Sequence, residues 1–375
     1  MSESESTRAG GAAALSEIPD TMKALVLHGP DDFSIEEVPT PRPVGDEVLC
    51  RVKAVAICGT DPKIVAGKFP GMWPPSFPAI IGHEWAGEIV AVSDDVKASA
   101  KVATKYAVGT RVAGEAHKGC GICLNCMTGH YTVCLNYGDN ASGHRHYGFT
   151  SQGAYAEYIV SSIKSVTPLP EGLAYAEAAM LDSAGVALHG VQRGRVATGD
   201  SVLVTGPGAV GQFSFQYSRA SGARMVVMIG RGPRLAFAEK MGAIGVDYEK
   251  VDDPVARVLE LTDGVGVDCT VECAGTQQAI DWAIKATRKG GRLVMNGLPT
   301  STIEVPWGPM TLAELDILGV RANPNTAGPA LALMANGAVT TEGIHTHTFP
   351  LSEFGEALAT FVERRDGAMK VVLEP

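Results

Sequence analysis

Four cysteines lie close together in one short segment, with offsets of 3, 3 and 8 residues between Cys120, Cys123, Cys126 and Cys134. Thiolates at such spacings can surround one zinc ion tetrahedrally and leave no position for water or substrate. A disulfide framework is the alternative interpretation, but the chain is long and shows no secretion signal. The segment therefore predicts a structural zinc site and a lobe held by that metal.

Three other groups have the chemistry of a second metal site. Cys58 lies in Cys-Gly-Thr-Asp, His83 in Gly-His-Glu and Asp182 in Leu-Asp-Ser. A catalytic zinc uses three protein ligands of these types and keeps a fourth position open. Each residue alone has a plainer explanation, because a buried cysteine is usually a core residue and an aspartate before a helix is often its cap. In the same chain as the four cysteines, they predict a catalytic zinc.

A glycine-rich turn, Gly206-Pro-Gly208-Ala-Val-Gly211, predicts a dinucleotide site. It follows a predicted strand, Ser201–Thr205, and opens a predicted helix, Ala209–Ala220. Gly206 allows the tight turn, Gly208 admits a pyrophosphate and Gly211 lets helix and strand pack closely. The helix N-terminus then offers free N–H groups to the phosphates. A tight turn without a ligand is the alternative.

The residues after the second strand predict which cofactor binds. An NAD site carries an acidic residue there for the ribose hydroxyls, whereas this chain reads Ile229-Gly-Arg231-Gly-Pro-Arg234. Guanidinium groups bind phosphate through charge-assisted hydrogen bonds, so we predict NADP(H) with both arginines on the 2′-phosphate. Solvated arginines and an enzyme that also accepts NAD(H) are the alternative.

Two residues that end later predicted strands, Cys273 and Asn296, are expected at the nicotinamide half, because ligands bind outside the carboxyl ends of such strands. The predicted cofactor contacts are Gly206, Gly208, Ala209, Val210, Gly211, Gly230, Arg231, Arg234, Cys273 and Asn296.

The pattern of apolar residues changes along the chain and indicates two domains that position the predicted metal and cofactor residues. Residues from 22 to about 165 form short β-like runs broken by Gly and Pro, such as Glu88–Val92, whereas apolar strands and helices alternate from about residue 174. The later predicted elements include the helix Gln277–Ala286, the strand Arg292–Asn296 and a helix near Leu351–Arg364. Alternation of this kind indicates an α/β fold with a doubly wound, buried parallel sheet. The last segment has mixed texture and is expected to fold back onto the first domain. We predict a disordered tail over 1–21, a β-rich catalytic domain over 22–184 and 323–375, and a Rossmann domain over 185–322.

The overall composition excludes several classes of function. The chain has 375 residues, 19% of them charged, and a net charge of −10 without a basic stripe, which argues against nucleic acid as a partner. No apolar run reaches the ~18 residues of a membrane span. Eight cysteines, four of them in a metal-type cluster, suit a reducing cytoplasm.

Together these motifs resemble the zinc-dependent medium-chain alcohol dehydrogenase family, including its sorbitol and threonine dehydrogenase branch, from about Met22 to Pro375. The resemblance implies a GroES-like catalytic domain beside the Rossmann domain, two zinc ions per chain, and a homodimer or homotetramer. It implies Cys58 and His83 as zinc ligands, Asp182 as the third, and Glu84 beside the metal and able to enter its coordination shell. Thr60 would accept the alcohol proton and pass it outward.

The resemblance also implies the reaction, which is hydride transfer between a nicotinamide cofactor, predicted above from the arginines as NADP(H), and a secondary alcohol or ketone. We expect a polyol or sugar-derived substrate. The alternative is a threonine-type enzyme using NAD, whose substrate carboxylate would need a cation such as Arg145 or Lys63. A catalytically silent nucleotide-binding relative is a weaker alternative, because it would be expected to lose the motifs that this chain keeps. The loop histidines His144 and His146 could line the substrate mouth, but loop histidines are more often exposed, and we expect these two to be exposed.

Overall fold

The computed structural model describes residues 18–375. Most of the predicted tail, residues 1–17, lies outside the described residues, and Thr21 already begins the first strand. Among residues 18–375, no helix combines the length and apolar character that a membrane span requires.

Seventeen strands occur in the described range. They are β1 Thr21–Gly29, β2 Asp32–Pro39, β3 Glu47–Ala56, β4 Glu84–Val92, β5 Arg111–Gly114, β6 His117–Lys118, β7 Arg145–His146, β8 Tyr158–Ser162, β9 Val166–Pro168, β10 Ser201–Thr205, β11 Met225–Gly230, β12 Ile244–Asp247, β13 Val267–Glu272, β14 Thr287–Met295, β15 Asp316–Gly319, β16 His345–Pro350 and β17 Lys370–Glu374.

Thirteen α-helices accompany them in the same range. They are α1 Asp61–Val65, α2 Asp94–Lys97, α3 Ala100–Lys105, α4 Leu124–Met127, α5 Tyr175–Ala178, α6 Leu181–Arg193, α7 Ala209–Ala220, α8 Gly232–Lys240, α9 Pro254–Leu261, α10 Gln277–Ala286, α11 Trp307–Leu312, α12 Ala327–Ala335 and α13 Phe354–Glu363. Short 3₁₀ turns cover Tyr131–Val133, Leu351–Glu353 and Arg365–Gly367.

The first domain is built on a seven-stranded, mainly antiparallel sheet. Its order is β16-β17-β3-β4-β5-β9, with β8 pairing β3. The final strand β17 pairs β3 through Val372 and Ala56, so the end of the chain returns to the first domain. Trp85 and Tyr155 are fully buried in its core, and Phe354 of α13 packs against Tyr155. This sheet positions the ends of β3, β4 and β17 close together.

The second domain is a Rossmann fold. Its sheet has the order β12-β11-β10-β13-β14-β15, and every strand pair is parallel. All five residues of β10 are buried, as expected for a strand covered by helices on both faces. The predicted α/β class with a doubly wound parallel sheet is confirmed. Its carboxyl edge faces the first domain across a cleft that both domains line.

Several element bounds differ from the sequence prediction. Strand β14 begins at Thr287 instead of Arg292, because Thr287 already pairs with Val267, ahead of an irregularity in register that ends where Arg292 pairs with Cys269. Strand β4 begins at Glu84 instead of Glu88, so the carboxylate of Glu84 lies on a strand whose first four residues are buried. Helix α13 begins at Phe354, since a 3₁₀ turn occupies the preceding three residues.

Candidate active site

Cys58 lies just beyond β3, in a turn that a buried aspartate holds in place. The Cys58 backbone N–H donates to Asp61 Oδ2 at 2.8 Å, and the Tyr155 hydroxyl donates to the same oxygen at 2.6 Å. Thr60 precedes α1, and its hydroxyl makes no capping bond to that helix. The Cys58 thiol lies 3.7 Å from Thr60 Oγ1. The turn therefore presents a thiol and a hydroxyl side by side.

His83 reaches the same place from the start of β4. The preceding Gly82 has φ of 91°, and a Cβ there would lie 2.7 Å from the Tyr155 ring, so the close approach requires glycine. His83 Nδ1 lies 3.5 Å from Asp61 Oδ1. Burial opposes a charge on the ring, but Asp61 and Cys58 raise the pKa of His83 to about 10. The same anionic surroundings favour a bound metal cation.

Glu84 is held by partners that sequence reasoning missed. One carboxylate oxygen accepts a hydrogen bond from Ser183 Oγ at 2.9 Å, and the other is ion-paired with Lys370. Lys370 is 3% exposed and also donates to the Ile57 carbonyl at 3.1 Å. Burial would lower the pKa of Lys370, but Glu84 and Cys58 outweigh that effect and raise it. In the sequence, Lys370 is the single charged residue within the apolar run Ala368–Leu373, and this pattern could have identified it as a buried lysine.

The residues of this site fit a metal ion. Ligand atoms of Cys58, His83 and Glu84 all lie within 4.8 Å of one another. Asp182, on α6, lines the same cleft and is buried, but it is not part of that closest set. Its Oδ1 has no hydrogen-bond partner, and burial raises the pKa of this carboxyl to about 6. A buried carboxylate oxygen without a partner suits a cation beside it.

The four predicted cysteines also converge. Their sulfurs all lie within 4.8 Å of one another, and the Cys120–Cys126 and Cys123–Cys134 pairs are 3.9 Å apart. The edge of a zinc–thiolate tetrahedron is about 3.8 Å for bonds of ~2.3 Å. All four cysteines are free thiols, so the disulfide alternative does not hold in this structure.

The ionisation of these thiols favours a cation as well. Backbone N–H groups of Cys126 and Leu135 lower the pKa of the Cys123 thiol to about 6, whereas burial raises that of Cys126 to about 12. Only a nearby cation would allow all four to be thiolates together at neutral pH.

The glycine turn lies where the Rossmann fold places a pyrophosphate. Gly206 follows β10 with φ of 95°, and Gly208 is the N-cap of α7. A Cβ on Gly211 would lie 2.0 Å from the Gly206 carbonyl oxygen, so only glycine fits there. Ala209 is the first residue of α7, and Val210 lines the cleft. The turn therefore has the shape that a bound dinucleotide requires.

The two arginines predicted to bind a 2′-phosphate lie in different surroundings. Arg231, beyond Gly230 at the end of β11, is exposed, forms an ion pair with Glu249 and packs 5.7 Å from the Tyr248 ring. Arg234 is half-buried, lines the cleft and donates to the Ala368 carbonyl. Arg231 is thus free to exchange an exposed partner, whereas Arg234 ties the two domains together.

One cleft of about 630 Å³ brings the two predicted sites together. The residues from the predicted sets that line it are Cys58, Thr60, His83, Glu84, Asp182, Val210, Arg234, Cys273 and Asn296. Both side-chain atoms of Asn296 that could hydrogen-bond are buried without a partner. The metal-type residues and the cofactor-type residues therefore share one space between the two domains.

The prediction that the loop histidines are exposed is wrong. His144 is fully buried and His146 is 3% exposed, because the loop folds inward and packs its rings on Tyr137 and Phe149. Of the cations nominated for a substrate carboxylate, Lys63 lines the cleft, whereas Arg145 donates to the carbonyls of Asn140 and His144. Arg321, which sequence reasoning missed, lines it too.

Comparison with known proteins agrees with this geometry. Residues 45–171 match the alcohol dehydrogenase GroES-like domain, and residues 209–336 match the zinc-binding dehydrogenase domain. The chain is 32% identical to the sorbitol dehydrogenase of Bacillus subtilis, covering 96% of this chain and 98% of that one. It is also 32% identical to an erythritol/L-threitol dehydrogenase of Mycolicibacterium smegmatis, over 96% and 99% of the two chains.

A solved structure of similar shape is a zinc-binding dehydrogenase from Sinorhizobium meliloti bound to NADP. It has a TM-score of 0.83 and 27% identity, and the match covers 95% of this chain and all of that one. With two domain matches and full-length relatives above 30% identity, the chain belongs to the zinc-dependent medium-chain alcohol dehydrogenase family and is an alcohol dehydrogenase acting on CH–OH groups.

Proposed function

We propose that this enzyme transfers a hydride between NADP(H) and a secondary alcohol or ketone, with a polyol or sugar-derived compound as substrate. The observation that carries the proposal is the shared cleft, which is lined by Cys58, His83 and Asp182 on one side and by Val210 and Asn296 of the cofactor domain on the other. The nicotinamide would supply the hydride acceptor or donor.

We assign the catalytic roles as follows from the contacts of the site. A zinc ion held there would supply the Lewis acidity that makes a substrate hydroxyl easier to deprotonate. Thr60, whose hydroxyl is not used in capping α1, would accept that proton while passing its own hydroxyl proton outward to solvent. Asp61 faces Nδ1 of His83 and orients the ring, as partners of metal-binding histidines commonly do. Lys370 balances the buried charge of Glu84.

The third ligand of the catalytic zinc is either Glu84 or Asp182, and distance and hydrogen bonding favour different residues. Distance favours Glu84, which belongs to the closest set with Cys58 and His83. Hydrogen bonding favours Asp182, because both oxygens of Glu84 already have protein partners, whereas Asp182 Oδ1 has none. We give more weight to the unpartnered oxygen and propose Asp182 as the third ligand, with Glu84 able to replace it. The four-cysteine lobe would hold a second, structural zinc.

The cofactor preference gives a first prediction. Replacing Arg231 by alanine is expected to lower the kcat/KM ratio for NADP⁺ over NAD⁺ by about tenfold to a hundredfold, since a charge-assisted hydrogen bond contributes ~1.5–3 kcal/mol. Glu249→Gln is the matched control with the opposite sign, because it removes the carboxylate that competes for Arg231. An unchanged ratio in both variants would remove Arg231 from the phosphate site.

The substrate class is tested with a panel of polyols, sugars, threonine and simple secondary alcohols, each assayed with both cofactors. The relatives named for sorbitol and erythritol support a polyol, which should give the highest kcat/KM. A threonine-type enzyme using NAD is the second candidate, because Arg321 places a cation in the cleft where a carboxylate could bind. Turnover of threonine above every polyol would favour it, and no turnover of any polyol in the panel would contradict the proposed substrate class.

We propose a homodimer or homotetramer. Strand β15 is the edge of the Rossmann sheet, and beside it Trp307 and Leu312 are 64% and 85% exposed. An uncovered strand edge next to large apolar side chains is typical of an interface between copies. Sedimentation should show a dimer or tetramer that Leu312→Glu shifts toward monomer; a monomeric parent protein would contradict the proposal.

We also place the enzyme in the cytoplasm, where a reducing environment keeps thiols unpaired. All eight cysteines are free in the structure, and the four of the lobe must stay reduced to bind metal. Fractionation of cells with an antibody against the protein should recover it with cytoplasmic markers, and recovery elsewhere would contradict this placement.

A further inference from the structure

Besides the proposed metal ligands, two buried histidines, His117 and His146, line the cleft. His117 on β6 and His146 on β7 are paired directly across this short ribbon. Their rings stack at 3.9 Å between centroids, and His146 also stacks on Phe149 at 3.8 Å. Backbone pairing and stacking therefore hold both rings in fixed positions.

A short chain of hydrogen bonds decides which nitrogen of His146 carries its hydrogen. Trp73 Nε1 donates to the Tyr137 hydroxyl at 2.7 Å, and that hydroxyl lies 2.5 Å from His146 Nδ1. Within the described residues, the Tyr137 hydrogen has no other acceptor. It is therefore donated to Nδ1, and the hydrogen-bond network assigns His146 as the tautomer with N–H at Nε2.

Both rings are neutral at physiological pH. Burial, reinforced by Arg321, lowers the pKa of His117 well below its ordinary value, and burial together with His117 and Arg321 does the same for His146. A neutral imidazole offers one donor and one acceptor. In the part of the chain that the structure describes, neither nitrogen of His117 has a partner, nor does Nε2 of His146.

The cleft thus contains two donors and one acceptor that no described protein group satisfies. The two His117 nitrogens are buried, and buried polar groups are costly without partners, so a ligand is expected to supply partners for them. A monohydric alcohol uses its only hydroxyl in the reaction and could satisfy none. Each further hydroxyl of a polyol can both donate and accept.

Resting on the function proposed above, we propose that His146 and His117 bind substrate hydroxyls beyond the reacting carbon and so select polyhydroxylated substrates. Tyr137 is a positioning residue in this arrangement, because it acts by fixing the tautomer of His146. A site built to hydrogen-bond a hydroxyl discriminates strongly against analogues that lack it.

Three variants test the assignment. His146→Phe keeps an aromatic ring in the stack and removes both nitrogens, and Tyr137→Phe keeps His146 but removes the hydrogen that fixes its tautomer. His345→Phe is the matched control, because its ring bonds Thr348 outside the cleft. We expect His146→Phe to lower kcat/KM for erythritol and sorbitol about tenfold, mainly through KM, with 2-butanol changed less than threefold. Tyr137→Phe should act in the same direction but more weakly.

Two readouts besides activity complete the test. Nitrogen-15 spectra of histidine-labelled enzyme should show His146 as the Nε2–H tautomer, and Tyr137→Phe should produce a mixture. Calorimetry should show polyol binding to the holoenzyme weakened about tenfold by His146→Phe. Equal losses for polyols and 2-butanol, unchanged polyol binding, or an Nδ1–H tautomer would each overturn the inference. Absence of all turnover would count against the proposed function, and the binding measurement would still decide the role of His146.

Discussion

His83→Ala is expected to remove the catalytic zinc and to lower kcat/KM by about a thousandfold or more. A zinc ion at this site would stabilise the charge that develops in the transition state by several kcal/mol. Each ~1.4 kcal/mol of lost stabilisation lowers the rate tenfold. The ring contributes one of the closest three ligand atoms and is buried, so no exposed side chain can replace it. Metal analysis of His83→Ala should show one zinc ion per chain instead of two. His345→Ala, whose side chain lies outside the cleft, should keep both ions and retain activity. Full zinc content in His83→Ala would contradict the proposed ligand set.

The same measurement decides the third ligand. Asp182→Asn keeps the volume of the side chain but removes the charge, so the catalytic zinc would depend on Glu84. Because both oxygens of Glu84 are already bonded to Ser183 and Lys370, we expect most of the catalytic zinc to be lost and the zinc content to fall toward one per chain. Ser183→Ala is the matched neighbour, because it removes only the hydrogen bond to Glu84 and should keep two. Two zinc ions in Asp182→Asn, together with one in Glu84→Gln, would assign the third position to Glu84 instead.

Cys134→Ser is expected to cause the largest loss of stability. Structural zinc sites contribute about 10 kcal/mol or more to the folding of small zinc-binding peptides, and loss of one thiolate breaks the tetrahedron. We expect one zinc per chain, a clearly lowered melting temperature and faster proteolysis within residues 120–134. Met127→Ala is the matched control, because this side chain lies between two ligands but is 68% exposed. A variant with one zinc and an unchanged melting temperature would show that the metal does not stabilise the lobe.

Loss of the structural zinc should also change substrate binding in the cleft. Arg321 Nε donates to the Thr132 carbonyl of the lobe at 3.0 Å, and the Asn325 amide donates to the Tyr131 hydroxyl at 3.0 Å. Because Arg321 lines the cleft, we expect Cys134→Ser to raise the KM of the preferred substrate as well. A full loss of stability with an unchanged KM would show that the lobe and the cleft are independent.

Local patterns in the sequence predicted most of the fold. The strand Ser201–Thr205 and the helices Ala209–Ala220 and Gln277–Ala286 have the bounds predicted for them. Apolar runs and turn glycines specify these elements within a few residues, so the elements can be predicted without knowing the tertiary structure. The start of strand β14 was missed because only Thr287 pairs with β13 before the register shifts, and the exposed Lys289 and Gly290 that follow carry no apolar signal.

The candidate site was predicted only where a motif carried it. Cys58, His83 and the four-cysteine segment stand in recognisable short motifs. Lys370 and Arg321 stand in no such motif, and Asp61 stands in the motif of Cys58 without a role that the motif predicts. An aspartate, a lysine and an arginine usually lie in water. They become informative only through burial and through the partners that the fold brings to them.

The sequence by itself determined the pieces whose geometry is set over short stretches of chain: the cysteine lobe, the glycine turn and the alternation that builds the Rossmann sheet. The tertiary structure decided which distant pieces meet, as when Lys370 pairs with Glu84 across 286 positions and the loop of His146 turns inward against His117. The physical reason is that a turn depends on local backbone preferences, whereas contacts at long separation form only when the packing of whole sheets and domains repays the entropy of closing the chain.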